Sequence, residues 1–446
     1  MTIHNKATKI RLSDFHSAPM RAFHMTWLAF FLCFFGWFGV APLMPVIRAE
    51  LHLTKNQIGN SIIASVAITI LARLAIGWLC DRIGPRRTYT WLLILGSLPV
   101  MGIGFSHDYA TFLFFRLAIG AIGASFVITQ YHTSVMFAPN VVGTANAAAA
   151  GWGNLGGGVT QMVMPLLFSA FLSLGVGAWW GWRLAMIVPG IALFLTGIAY
   201  YFLTQDTPGG DFAKLRAEGA LESGSGAGGI FLEACRDRRV WALAILYGSC
   251  FGMELTIDNV AALYFVDSFH LTLKLAGLVA GSFGMMNLFA RALGGIVSDR
   301  CNRRWGLRGR ALLLAGTIGA EGLALMLFSQ ARWLPFAIGS MMLAGLFVKM
   351  SNGATYSIVP FINKRALGAV AGIVGAGGNL AAMLAGFLFK MNGLSWPQAF
   401  LILGTLVAAS SSVALLVRFT AADEQSARGE METRLAGQFA HAAAGD

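Results

Sequence analysis

Apolar runs of roughly 20 residues recur along this 446-residue chain and are separated by shorter polar segments. An α-helix needs about 20 apolar residues to cross a hydrocarbon layer about 30 Å thick, because each residue adds about 1.5 Å. The pattern therefore predicts twelve transmembrane helices in an all-α integral membrane protein. The predicted spans are 24–47, 57–79, 88–106, 110–136, 142–171, 183–204, 239–266, 275–297, 310–330, 333–358, 366–389 and 397–418.

The composition excludes an ordinary soluble protein. Hydrophobic residues make up 57% of the chain and charged residues only 12%, whereas soluble domains carry about 25% charged residues. The polar, basic amino terminus lacks the short apolar core of a cleaved signal, so the first apolar run is predicted to remain as a helix. The five cysteines show no metal-ligand spacing, and we expect free thiols, no metal and no cofactor.

Lysine and arginine are distributed unequally between the two sets of loops. If the amino terminus is cytoplasmic, 22 basic residues lie on that side and 6 on the outer side. Cytoplasmic loops carry the basic excess in membrane proteins, which predicts that both termini are cytoplasmic and that the chain lies in the inner (cytoplasmic) membrane. The net charge of +12 then reflects topology and contact with membrane lipids, and no nucleic-acid partner is expected.

A segment rich in glycine, serine and mixed charge interrupts the apolar pattern near the middle of the chain. It predicts a cytoplasmic linker, with a short surface helix around Asp211 to Leu221, between two six-helix halves. The predicted organisation is a cytoplasmic N-terminal segment at 1–22, a helical bundle at 23–204, the linker at 205–238, a second bundle at 239–420, and a cytoplasmic tail at 421–446 that is expected to be mobile.

The two halves share sequence patterns that indicate an internal duplication. The pattern A-R-x-x-x-G-x-x-x-D-R occurs at 72–82 and again 218 residues later at 290–300. A second pair, Gly-Asn-Leu, occurs at 153–155 and at 378–380, at nearly the same offset. Two independent pairs at nearly one offset favour a duplicated fold.

Each copy of the first pattern places an arginine, Arg73 or Arg291, inside a predicted helix. Even lenient insertion scales assign roughly 2.5 to 3.5 kcal/mol to a central arginine, so both are candidates for function. A guanidinium group is a planar fork of donors that can pair two oxygens of a small planar anion at once. One arginine from each half could therefore hold such an anion between the halves, and the anion would relieve the repulsion between the two cations.

The loop after the second predicted helix resembles the signature loop of the major facilitator superfamily. It contains Gly77, Asp81, Arg82 and Arg86, and it is repeated in part by Asp299 and Arg300. The resemblance implies the major facilitator fold, with twelve helices in two pseudo-symmetric halves and substrate bound near the midplane. The glycine is expected to permit close helix approach, and the charged residues to form ion pairs that hold one conformation.

Two glycine-rich stretches are similar to the signatures of the nitrate/nitrite porter family, in particular to proton-coupled nitrate transporters. They are GWGNLGGG at 151–158 and GAGGNL at 375–380. Their signature glycines, expected to let facing helices approach and slide, are Gly151, Gly153, Gly156, Gly157, Gly375, Gly377 and Gly378. The resemblance implies transport of nitrate or nitrite by a monomer, with Arg73, Arg291, Asn154, Tyr247 and Phe126 at the anion. For Asn379, anion contact and an interhelical hydrogen bond both stay open.

Proton coupling has several candidate residues. Glu254 and Asp258 are four residues apart and so lie on one face of the seventh predicted helix. They could carry protons, or they could form structural salt bridges with Lys349 or Arg116. Arg116 also begins an R-x-x-x-G pattern that resembles a motif of proton-driven facilitators, and His132 titrates in the physiological range.

Three functions remain open at this point. The first is nitrate import with proton symport, the second is nitrate/nitrite exchange, and the third is transport of another small anion by the same fold. An enzyme is not expected, because the sequence offers no catalytic or metal-ligand cluster at a membrane interface.

Overall fold

The computed structural model describes residues 5–138, 141–217, 227–363, 367–421 and 424–425. Long helices dominate the described residues. Those of the first half are α1 Ala18–Glu50, α2 Lys55–Ile83, α3 Pro85–Phe105, α4 Tyr109–Met136, α5 Val142–Ser173 and α6 Ala178–Leu203. Those of the second half are α7 Arg238–Phe269, the stretch Leu273–Ser329, α10 Leu334–Phe361, α11 Leu367–Lys390 and α12 Trp396–Leu416.

The stretch Leu273–Ser329 contains two of the predicted spans in one 57-residue helical run. The backbone leaves the helical region at Gly306, where φ is 64° and ψ is −161°. We call residues 273–305 α8 and residues 307–329 α9. The described residues thus contain eleven helical stretches that are long and apolar enough to cross a membrane. The longest of them accounts for two of the twelve predicted helices.

The halves α1–α6 and α7–α12 meet along two pairs of helices, α2 with α11 and α5 with α8. Small residues allow the second contact. A Cβ atom added to Gly158 of α5 would lie 2.7 Å from the backbone of Gly284 in α8, so a larger residue cannot be placed there without separating the two helices. This packing puts α1, α2, α5, α7, α8 and α11 where a site between the halves can form.

In each half, a carboxylate accepts hydrogen bonds from backbone N–H groups at the start of the third helix. A glycine with a positive φ lies beside it. In the first half, the carboxylate of Asp206 accepts hydrogen bonds from the backbone N–H of Arg86 at 2.8 Å and of Phe212 at 2.9 Å, beside Gly84 with a φ of 88°. Burial raises the pKa of the Asp206 carboxyl, whereas the N–H donors favour its ionised form.

In the second half, the carboxylate of Glu424 accepts from the N–H of Leu307 at 3.0 Å and of Arg308 at 3.3 Å, beside Gly306 with a φ of 64°. A side chain at Gly84 or Gly306 would be strained by the backbone angle and would collide with the capping carboxylate, 2.4 Å away in each case. Both caps therefore depend on glycine, and each ties the segment after the last helix of a half to the third helix of that half.

An ion pair joins the two halves on the predicted outer side. Arg48, near the end of α1, donates two hydrogen bonds to the carboxylate of Asp267 in α7, at 2.8 and 2.6 Å. Lys55 at the start of α2 also donates to the carbonyl of Leu394, between α11 and α12. A neighbouring pair, Arg183 with Glu50 at 2.5 Å, lies within the first half.

The signature loop after α2 makes contacts different from the expected close helix approach and internal ion pairs. A Cβ added to Gly77 would meet only Val127, at 3.9 Å, so this glycine makes no close helix contact. The carboxylate of Asp81 accepts from the hydroxyl of Tyr131 at 3.0 Å, and Arg82 lies over the ring of Trp78.

The ion pairs near this loop run to other segments. Arg86 pairs with Asp211 of the linker, and in the second half Asp299 pairs with Arg310 at 2.7 Å while Arg300 is exposed. Within the described residues, the signature loop therefore holds the linker rather than pairing its own aspartate with its own arginines. The described part of the predicted linker helix is Phe212–Ala217, and the predicted mobile tail lies outside the described residues except for 421 and 424–425.

Candidate substrate site between the halves

Arg73 lies in α2 with 7% of its surface exposed and reaches across to the second half. Its Nη1 donates to the backbone carbonyl of Gly375 in α11 at 2.8 Å. Its guanidinium carbon lies 5.6 Å from the ring centre of Phe126 and 5.9 Å from that of Phe251. The cation therefore lies between aromatic faces, which attract it electrostatically without supplying an ion pair.

Asn379 holds this guanidinium in place. With the amide oriented so that its donors and acceptor are both satisfied, the oxygen of Asn379 accepts from Nε of Arg73 at 3.2 Å and from Nη1 at 3.0 Å. Of the two roles left open for Asn379, this geometry favours the interhelical hydrogen bond. The asparagine orients the fork of Arg73 from the opposite half.

Arg291, from α8, lies on the same cluster of aromatic residues. Its Nη2 donates to the hydroxyl of Tyr247 at 3.4 Å, and its Nη1 is buried with no hydrogen-bond partner among the described residues. The ring of Tyr356 packs edge-on against that of Tyr247 with centres 5.0 Å apart. Tyr247 also stacks on Phe251 with centres 5.0 Å apart, and Phe251 is one of the rings beside the guanidinium of Arg73. The structure thus brings one arginine from each half to a shared aromatic cluster.

Asn154 of α5 is a buried amide with unused hydrogen-bonding groups. It is 2% exposed, and neither its oxygen nor its nitrogen has a partner within the described part of the chain. Leaving a buried polar group unsatisfied costs about 1 to 3 kcal/mol. Such an amide is available to a small polar ligand, in agreement with the role that the family resemblance implies for it.

The signature glycines differ in what they face. Within each half, Gly153 and Gly156 of α5 lie against α1, and Gly377 and Gly378 of α11 lie against α7. Between the halves, Gly157 faces the carboxylate of Asp258, and Gly375 faces Nη1 of Arg73. Gly151 has only the carbonyl of Asn287 near it, at 3.8 Å, and is the least crowded of the seven.

Glu254 of α7 is fully buried in a polar network. Its carboxylate pairs with Nζ of Lys349 in α10 at 2.6 Å, and both side chains are 0% exposed. The amides of Asn287 and Asn352 also donate to it, at 2.8 and 2.5 Å. This is the structural salt bridge that the sequence left open for Glu254 and Lys349.

Asp258, one turn further along α7, has no such partner. Its Oδ1 accepts no hydrogen bond from any residue described here, although its backbone carbonyl accepts from Gln161 at 2.6 Å. Arg116 does not pair with either carboxylate. It donates to the amide oxygen of Asn259 at 2.9 Å and to the carbonyl of Trp37 at 3.2 Å.

His132 lies away from this network. One ring nitrogen is 2.6 Å from the hydroxyl of Tyr200, and the other is 2.8 Å from the carbonyl of Gln205. Both nitrogens are therefore engaged within the first half near the linker. The structure does not bring this histidine to the arginine cluster or to the carboxylates of α7.

Sequence reasoning missed several residues that complete the site. They are Phe251, Asn287, Glu321, Asn352 and Tyr356. A common signal could have found most of them, namely a polar side chain within a predicted apolar span. Glu321 carries this signal most clearly, as an acidic residue within the predicted span 310–330.

Comparisons with known proteins show the family of this chain. A family model described as Major Facilitator Superfamily matches residues 26–362. The chain is 42% identical over 387 residues to High affinity nitrate transporter 2.5 of Arabidopsis thaliana, which covers 86% of this chain and 76% of that protein. It is 31% identical over 442 residues to Nitrate/nitrite transporter NrtP of Nostoc punctiforme, with 83% and 87% covered.

Among solved structures, a bacterial homologue of the human lysosomal transporter Spinster, in an inward-facing and unoccupied conformation, matches with a TM-score of 0.68. The match covers 91% of this chain and 99% of that chain at 16% identity, so it shows the fold alone. The predicted major facilitator fold and the predicted family resemblance are both confirmed. The chain belongs to the Major Facilitator Superfamily, in the branch that contains the high-affinity nitrate transporters and the nitrate/nitrite transporters.

Proposed function

We propose that this protein imports nitrate, and also accepts nitrite, across the cytoplasmic membrane by alternating access coupled to proton symport. The observation that carries the proposal is the pair Arg73 and Arg291, which reach one aromatic cluster, Phe251, Tyr247 and Tyr356, from opposite halves. Neither guanidinium forms an ion pair with any described residue. Two unneutralised cations in a water-poor site favour a small anion, and nitrate is the substrate named for the similar transporters.

The unpartnered polar groups of the proposed site match the chemistry of nitrate. Nitrate is planar, carries one negative charge and offers three acceptor oxygens. The unpartnered donors are Nη1 of Arg291, the amide nitrogen of Asn154 and the hydroxyl of Tyr356. Because each of these groups would otherwise remain unsatisfied, anion binding would remove several desolvation penalties at once. It would also draw the two halves together and so favour closure.

Two arguments support the proposed proton coupling: the energetic cost of anion uptake and the position of Asp258. Moving one negative charge into a negative-inside cell costs about 2.3 kcal/mol per 100 mV, so accumulation of nitrate needs a cotransported cation. Asp258 has an unpartnered buried oxygen and faces Gly157, which puts it at the interface between α5 and α7. A carboxyl in this position can take up a proton at little electrostatic cost.

One observation favours the exchange alternative. Glu254 is saturated by Lys349, Asn287 and Asn352, which is the arrangement of a structural ion pair rather than of a proton carrier. Exchange of nitrate for nitrite would be electroneutral and would need no titrating group. The two mechanisms therefore differ in whether a proton gradient alone can drive accumulation.

Uptake of isotopically labelled nitrate into proteoliposomes tests the proposal. We expect an inward proton gradient to drive accumulation, and we expect Asp258→Asn to abolish the gradient dependence while nitrate binding is retained. A matched control is Asp108→Asn, in the exposed loop before α4, which should leave coupling unchanged. Uptake by the wild-type protein that ignores the gradient and requires nitrite inside the vesicles would establish exchange instead.

A further inference from the structure

Glu321 is the third buried carboxyl of the second half among the described residues, after Glu254 and Asp258, and the proposed function gives it no role. It lies in the middle of α9 with 0% of its surface exposed. Neither of its oxygens accepts a hydrogen bond from any residue that the structure describes. By contrast, Glu254, equally buried, has three partners on its carboxylate. The two glutamates therefore occupy the same half of the molecule in opposite electrostatic situations.

The groups that interact electrostatically with Glu321 come from α7 and α10. From α10 these are the Lys349 ammonium and the Ser351 hydroxyl, and from α7 they are the Glu254 carboxylate and the Cys250 thiol. α12 supplies no titratable residue within Trp396–Leu416. Among the described residues, Lys349 is the cation that interacts with Glu321 itself, and it is paired with Glu254 in this conformation. Arg291 of α8 interacts with Glu254 but not with Glu321, and the proposed function reserves it for the anion.

The charges of Glu254, Lys349 and Glu321 together decide whether Glu321 binds a proton. One ammonium neutralises one carboxylate, so a second ionised carboxylate beside them would be buried without compensation. Burying an unpaired ion costs several kcal/mol, and a carboxyl avoids that cost by binding a proton. In the conformation with Lys349 on Glu254, Glu321 is therefore the neutral acid.

We propose that Glu321 is a proton-binding residue of transport, and that Lys349 is shared between it and Glu254. The proposal rests on the proton symport proposed above and adds a proton site on α9 to it. A proton enters from water on one side, binds an oxygen of Glu321 and leaves to water on the other side, with no other reactant. When Glu321 is ionised, the ammonium of Lys349 moves toward it, and Glu254 keeps the amide donors of Asn287 and Asn352.

This exchange of partners would connect proton binding to the movement of α9 and α10. Lys349 of α10 pairs with the Glu254 carboxylate of α7 and interacts electrostatically with the Glu321 carboxyl of α9. Arg291 and Asn287 lie on α8, and the amide of Asn287 donates to Glu254. A change at Glu321 therefore reaches the substrate arginine through Glu254 and Asn287, without any contact between the proton and the anion.

The test uses the full-length protein in proteoliposomes and the variant Glu321→Gln, whose amide has the shape and charge of the protonated acid. We expect gradient-driven accumulation of labelled nitrate to be lost, while exchange of labelled for unlabelled nitrate stays within about twofold of wild type, since exchange needs no net proton release. Glu321→Asp is expected to restore part of the accumulation. Glu233→Gln, in the exposed linker, serves as the control and should behave as wild type.

Infrared spectroscopy supplies a second readout that does not depend on transport. In an Asp258→Asn background, which removes the other proposed proton-binding carboxyl, the protein should show the carbonyl stretch of a buried protonated carboxyl at neutral pH, and adding Glu321→Gln should remove that band. Normal gradient-driven accumulation by Glu321→Gln, or retention of the band, would overturn the assignment of Glu321 alone. Wild-type accumulation that ignores the gradient would overturn proton symport, and the transport role of Glu321 with it.

Discussion

The two arginines of the site are held in different ways. The guanidinium of Arg73 donates hydrogen bonds to the carbonyl of Gly375 and to the amide oxygen of Asn379, both in the opposite half. Arg291 has one long bond to Tyr247 and a free Nη1. Arg73 is therefore already oriented by α11, whereas Arg291 is the donor that a bound anion would fix. The site is asymmetric even though the sequence pattern that produces it is repeated.

We predict that neither arginine can be replaced by lysine. Lysine keeps the charge but loses the planar fork, and a charge-assisted hydrogen bond contributes about 1.5 to 3 kcal/mol. Arg73→Lys and Arg291→Lys should each lower kcat/KM for nitrate about tenfold to a hundredfold, measured as initial uptake against nitrate concentration. Arg332→Lys, exposed in the loop before α10, should match wild type. Native uptake kinetics in either site variant, at equal membrane insertion, would contradict the proposal that the two arginines hold the anion between the halves.

The residue scale also shows what sequence can and cannot predict. Arg73 and Arg291 were predictable because a buried cation stands out in an apolar span and because each half repeats it. Tyr356 and Asn352 stand out only as polar residues within an apolar span, and the sequence does not show which of their neighbours they contact. Which half-buried residues converge depends on how the helices rotate against one another, and that is decided by packing across the whole bundle.

At the scale of helices, the glycines of α5 act on two faces. Gly156 lies against α1, where an added Cβ would be 2.0 Å from the carbonyl of Phe31. Gly157, the next residue, faces α7 and the carboxylate of Asp258. One run of small residues therefore serves both the packing within a half and the contact between halves, which explains why consecutive glycines are needed.

We predict a sharp difference between two glycines of this run. Gly156→Ala should reduce labelled nitrate uptake at least tenfold, and Gly156→Leu should abolish it, because α1 cannot retreat without disturbing the core. Gly151→Ala is the matched comparison and should retain most of the uptake, since its nearest neighbour is 3.8 Å away. Thermal unfolding of the purified variants separates lost folding from lost motion, and full transport by Gly156→Leu would exclude the proposed packing role.

Helix boundaries were predictable only where polar residues mark them. The spans 275–297 and 310–330 are predicted as separate helices, yet one helical run extends from Leu273 to Ser329. It contains a 3-10 turn at Met286–Leu288 and departs from helical backbone angles at Phe289 and Gly306. Basic residues between the two spans obscure the fact that the backbone remains helical through them. Apolar periodicity reports what lies in lipid, and a helix that extends into water carries no such signal.

At the scale of the whole molecule, the halves are joined on the predicted outer side by Arg48 and Asp267. The pair is partly exposed, at 34% and 22% of the two side chains. Exposed pairs contribute about 0.2 to 1 kcal/mol, which suits a contact that has to break in every cycle. A fully buried pair at this position would hold the protein in one state.

We predict that Asp267→Asn shifts the equilibrium toward a conformation open on that side. Loss of up to about 1 kcal/mol changes the ratio of the two conformations about fivefold at most. Spin labels at His107 and Lys274, one in each half, would report the change as a larger population of long distances.

The neighbouring pair within the first half provides the control for that measurement. Glu50→Gln removes the partner of Arg183 but breaks no bond between halves, so it should lower thermal stability and leave the label distances unchanged. An identical distance distribution in Asp267→Asn and wild type would show that this ion pair does not hold the outer side closed.

The two capping carboxylates have a consequence for how the protein is made. Asp206 follows the last helix of the first half, and Glu424 follows the last helix of the second, so each cap leaves the ribosome only after its six helices. Because domains fold as units in the order of synthesis, the first bundle can be fastened before the second emerges. Each capping carboxylate therefore forms one of the last contacts of its bundle during synthesis. It joins the end of a newly inserted bundle to a helix that entered the membrane much earlier.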